Sequence, residues 1–153
     1  QQFSIIMDPR VETPEYALQQ QFDLSMTCYN GEKQMTDILH DIHSLQAQVK
    51  NIQAKAKGDE AQSLKDFSAK LLLFENTGMG TGTKGFRSLF NSFASLQGIL
   101  QGADMQPTTQ CTKQVQITRN QFMVMFKEWK DFRDGIPALN KKLKGAGLAI
   151  LKI

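Results

Sequence analysis

The sequence predicts an all-α protein: an up-down four-helix bundle with two long outer helices, the first and fourth, two short ones, and a short orphan strand in front. Three observations carry this. Residues 111–143 hold a heptad seam, with Cys111, Val115, Thr118, Phe122, Met125, Trp129, Phe132, Ile136, Leu139 and Leu143 at alternating steps of four and three. Three earlier segments repeat the same rhythm between Gly, Asn and Pro punctuation. The chain also has 10 Phe and only 4 Pro, which favours helices over a loop-rich β fold. An apolar stripe on one helix is not stable alone in water, so the seam demands partner helices.

The 153 residues suit one core, with 41% apolar and 22% charged residues. A net charge of +3, interleaved as in Lys127-Glu128 and Lys130-Asp131, describes a solvated face and gives no nucleic-acid footprint. No apolar run approaches the ~20 residues of a membrane span. No basic start and apolar h-region mark a signal peptide, and a chain opening on Gln1 is read as a processed or cut product.

Residues 3–7, Phe-Ser-Ile-Ile-Met, read as one strand stopped by Asp8-Pro9, the tail of a preceding β domain. The expected division is therefore 1–12 as terminal strand and linker and 13–153 as the helical domain. Thr13-Pro14-Glu15 starts the first helix: a cap, a proline suited to the first turn and an acid at the positive end. Its apolar positions are Leu18, Phe22, Met26 and Tyr29, then Met35, Ile38, Leu39, Ile42, Leu45, Val49, Ile52 and Ala56. The rhythm slips at Asn30-Gly31, which predicts a bend or stutter within a helix over 14–57.

Asp59 caps the second helix, striped by Ala61, Leu64, Phe67, Leu71 and Phe74. Residues 77–85 form a Gly-rich connector. The third helix carries Phe86, Leu89, Phe90, Phe93, Leu96 and Leu100, and the fourth starts at Pro107, with Asp104 or Gln106 just before it. Pro137 predicts a kink with the seam continuing beyond it. The apolar tail after Gly145 is expected to pack on the bundle or a neighbour.

The helix lengths differ, at about 65 and 55 Å for the first and fourth against about 25 Å for the middle pair. In up-down order only one end holds four helices. The other end becomes a two-helix stalk bearing Phe22, Tyr29, Phe122, Trp129 and Phe132, too many aromatics for two helices to bury. These five are the candidate interaction residues.

No constellation carries catalysis. Gly80-Thr81-Gly82-Thr83-Lys84-Gly85 matches G-x-G-x-x-G but lacks the strand and βαβ unit of a dinucleotide site, and reads as a linker. Asp37, His40 and His43 lie near one face of one helix, but a bundle metal site takes a histidine from each of two helices, and this chain's two histidines share one, beside Leu39 and Ile42, and read as facing solvent or the rim. Cys28 and Cys111 permit one disulfide by count. The up-down order sets them roughly 30 Å apart, against the ~7 Å a bridge allows. Free, buried thiols are expected, and no cofactor, metal or catalytic residue is assigned.

The succession Met7-Asp8-Pro9-Arg10-Val11, Thr13-Pro14, Leu18-x3-Phe22-Asp23-Leu24-Ser25, then Leu100-Gln101-Gly102-Ala103-Asp104-Met105-Gln106-Pro107-Thr108 and Pro137-Ala138-Leu139-Asn140 resembles the C-terminal helical region of bacterial sortilin-like, BNR-repeat β-propeller proteins, often labelled glycosyl-hydrolase-like. The resemblance implies a secreted or envelope parent whose last immunoglobulin-like strand ends near Met7-Asp8-Pro9-Arg10. It transfers no active site. The expected function is a non-catalytic accessory domain that docks against, or presents, the upstream β domains of its parent chain, the isolated fragment self-associating. The alternative is a protein- or peptide-binding module using the aromatic stalk.

Overall fold

A computed structural model describes residues 8–10, 12–79 and 84–153. The protein is all-helical, with four helical rods of which the first and fourth are long. α1 is Glu15–Gln53, α2 is Gly58–Leu72 closed by a π turn at Leu73–Thr77, and α3 is Phe86–Leu100. The fourth rod is α4, Thr109–Asp134, continued after a break at Gly135 by α5, Ile136–Gly145. No strand occurs among the described residues, and the expected strand at 3–7 lies outside them.

The expected caps at Thr13 and Asp59 are not used: Pro14 precedes α1 and Lys57 precedes α2, and neither start has a side-chain capping bond. α4 begins where the Thr108 side chain accepts the Cys111 amide at 3.2 Å, so the helix starts at Thr109, two residues after the expected Pro107. Pro137 sits in the first turn of α5, where its missing N–H costs nothing, and the core stripe runs on through the break to Ile136 and Leu143.

α1 crosses Asn30-Gly31 without interruption. Its buried positions Leu24, Cys28, Gly31, Met35, Ile38, Ile42, Leu45, Val49 and Ile52 form one unbroken four-three heptad. The expected stutter follows from placing the apolar set Leu18, Phe22, Met26 and Tyr29 in register with the core. The helix instead keeps its register with smaller residues, and Phe22, Met26 and Tyr29 fall outside it.

The short helices are arranged differently from the expected side-by-side pair. Glu75, at the end of α2, meets His43 and Gln46 of α1 and Arg87 of α3. From there Phe93 reaches Gly31, and the Leu100 and Ala103 carbonyls accept from Gln21. Both short helices thus run antiparallel to α1, one after the other, and together span its length. α4 then runs parallel to α1: Cys111 lies beside Gln21, and Arg133 pairs with Asp41 at 3.5 Å.

This removes the stalk. The expected stalk requires every connector to reverse the chain. α3 instead continues onward from the end of α2, so three rods cover the core at every level. Each layer buries about 1.5–3 kcal/mol per large side chain.

Candidate interaction surface

The five aromatics expected on a stalk separate into two groups. Trp129 is 1% and Phe122 4% exposed, both inside the bundle. Trp129 meets Phe74 edge-on at 5.3 Å between centroids and stacks with Phe132 at 5.7 Å. Phe132 is half-buried and stacks on Phe67 at 4.7 Å. Phe122 packs edge-on against Phe86 and Phe93. Phe122 and Trp129 belong to the interior, and Phe132 packs against it, because α2 and α3 supply the rings that cover them.

Phe22 and Tyr29 face outward, 58% and 49% exposed, with Met26 between them. Their spacing of four and three residues places all three on one stripe of α1. Beside it lies an open groove of about 370 Å³ lined by Leu18, Gln21, Phe22, Ser25, Leu100, Gln101 and Asp104. Gln21 fixes its far wall by donating to the carbonyls of Leu100 and, at 2.7 Å, Ala103. Thr13 ties the approach to α1 to the same wall, its hydroxyl donating to the Asp104 carbonyl at 2.6 Å. The chain therefore enters α1 beside this stripe.

The candidate chemical groups resolve less dramatically. Residues 80–83 of the Gly-rich motif lie outside the described residues. No cluster of three or more His, Cys, Asp or Glu side chains suited to a metal occurs among the described residues. Asp37 and His40 are exposed, while His43 is engaged elsewhere.

His43 belongs to a polar hub that sequence reasoning missed. Glu75, only 7% exposed, accepts from Arg87, from His43 Nε2 at 3.1 Å and from Gln46 Nε2 at 3.1 Å. Burial pushes its carboxyl up. The hydrogen bonds from Arg87, Gln46 and His43, with the charge of His43, outweigh this and bring it down to about 2. A carboxylate so acidic and so fully engaged is a poor general base and has little capacity left for a cation. The hub joins α1, the π turn and α3. Its sequence signal was a lone charge four residues beyond Leu71, on the flank of the α2 stripe.

Cys28 and Cys111 are free and buried, as expected. The reason differs from the expected 30 Å separation. Because α1 and α4 are parallel, both thiols occupy the N-terminal half of the bundle. Burial pushes Cys28 up to about 11, with smaller contributions from Glu32 and from Cys111 itself. Burial raises Cys111 as well. Neither is an activated nucleophile.

No family model, no curated protein and no solved structure matches this chain. No helix among the described residues is long and apolar enough to cross a membrane.

Proposed function

We propose that this chain is a non-catalytic helical accessory domain of a larger secreted or envelope protein, docked against the β domain that precedes it. The observation that supports the reading is the allocation of side chains along α1. Ala17, Cys28 and Gly31 fill the inward register while Phe22, Met26 and Tyr29 stand outside. Exposed apolar stripes of this kind mark contact surfaces. A domain joined through residues 8–14 emerges next to the stripe, which favours a neighbour in the same chain over a separate partner. The secreted setting and the β nature of the neighbour rest on the sequence resemblance.

The experiment places Phe22→Ser with Tyr29→Ser in the chain carrying its upstream domain. Docking predicts that the parent unfolds with the two domains coupled, and that the double substitution separates the transitions. Unchanged coupling would reject this surface. A second reading, a module for a separate helix or peptide, is favoured by the groove beside Phe22. It predicts that the groove stays accessible in the parent, so that labelling of a cysteine introduced at Gln101 is unaffected by the upstream domain.

A further inference from the structure

The segment after α5 is held in a way that ordinary tail packing does not require. Gly147 takes φ +72° and reverses the chain. The Leu148 amide donates back to the Leu143 carbonyl at 2.9 Å and that of Gly147 to Lys144 at 3.1 Å, the Schellman pattern. Residues 148–153 then return between α1 and α5. There Asn140 brackets Leu151: its Nδ2 donates to the Leu151 carbonyl and its Oδ1 accepts the Leu151 amide, both at 2.8 Å. Gln48 brackets the next residue in the same manner. Its Nε2 donates to the Lys152 carbonyl and its Oε1 accepts the Lys152 amide, again both at 2.8 Å.

Each side-chain amide thus imitates a neighbouring strand, offering one donor and one acceptor to a single residue. The two brackets come from opposite walls, Asn140 on α5 and Gln48 on α1. That matches the alternation of backbone groups in an extended chain. Gln48 is oriented beforehand by Ser44, whose hydroxyl accepts from Nε2 at 3.2 Å. Between the brackets Leu151 enters the core and is 3% exposed, while Ile150 and Ile153 remain outside.

We propose that the cleft between α1 and α5 is an acceptor site for an extended peptide bearing one leucine-sized side chain, with residues 148–153 as its resident occupant. Asn140 and Gln48 recognise backbone, so the site selects for extension and for one apolar anchor. The cis segment holds the site by effective concentration and yields it when its anchor is lost.

The test uses the full chain carrying Leu151→Asp and a labelled peptide of residues 145–153. Saturable one-to-one binding is expected to this variant. None is expected to the wild-type chain, or from the same peptide with Leu151→Asp. A helical variant that fails to bind, or equal binding by the Asp peptide, overturns the proposal. Amide hydrogen exchange tests the brackets on which the proposal rests even if the variant misfolds. Asn140→Ala should speed exchange at the Leu151 amide by about tenfold while α4 is unaffected, and Gln48→Ala should do the same at Lys152. Unchanged exchange at both amides would refute the bracket.

Discussion

The ring of Phe93 occupies the space that a β-carbon on Gly31 would need: such a carbon would stand 2.8 Å from one ring atom and 2.9 Å from the next. Phe93 is itself buried. Gly31→Ala therefore sets two effects against each other. Alanine improves helix propensity by about 1 kcal/mol. Overpacking a rigid buried ring costs about 1–3 kcal/mol. Net destabilisation of about 1 kcal/mol is expected in urea unfolding. Gly98→Ala supplies the control, since nothing lies within 4 Å of its added carbon, and should stabilise by up to about 1 kcal/mol.

The division of the aromatics gives a sharper contrast. Trp129→Ala removes a ring packed among Phe74, Phe86 and Phe132 and should cost about 3–5 kcal/mol. Phe22→Ala and Tyr29→Ala in the isolated chain should each stay within about 0.5 kcal/mol. Similar losses at all three positions would mean that the outward stripe is also interior.

Much of this fold was legible in the sequence. The seam from Cys111 to Leu143 reappears on α4 and α5, with Phe132 and Leu139 only half-buried. The helix boundaries come within a few residues of Pro14, Gly58, Pro107 and Pro137 because proline and glycine act locally. Periodicity identifies the apolar face of a helix but not which helix covers it. The connector at 77–85 is long enough either to reverse the chain or to continue it, so the end-to-end placement of α2 and α3 was not legible. The α1 register was misread for another reason. Phe22, Met26 and Tyr29 recur at helical spacing just as the inward set does, and the inward set includes Gly31, a position kept small for Phe93 that no apolar pattern picks out. The Glu75 hub joins residues 32 and 12 apart in sequence, beyond the reach of any local pattern.

Acid stability should report that hub. Glu75 has an ordinary value of 4.5 and is held near 2 in the folded protein. A depressed folded value means stability that is fully present above about pH 4.5 and lost as the pH falls toward 2. Glu75→Gln should lower stability at neutral pH by about 2–3 kcal/mol and flatten the stability profile across that window. A variant with the wild-type acid profile would show that the hub contributes nothing to folding.

The two thiols provide a measure of opening. With Cys28 raised to about 11 by burial, and Cys111 raised too, both should resist a thiol reagent in the native state and react fully in denaturant. Native labelling should then slow in step with any stabilising substitution, such as Gly98→Ala. Rapid labelling of the native protein would contradict the closed core.

The path of α2 and α3 along α1 underlies every assignment above, since it encloses Phe122 and Trp129 and leaves Phe22 and Tyr29 outside. Spin labels at Lys57 and Gln101, with both native cysteines replaced by alanine, test it most directly. Lys57 follows the end of α1, and Gln101 lies in the groove beside Gln21, 32 positions before Gln53. At 1.5 Å per residue the account predicts a separation of about 45–50 Å. A distance below about 20 Å, as side-by-side short helices would give, would contradict it.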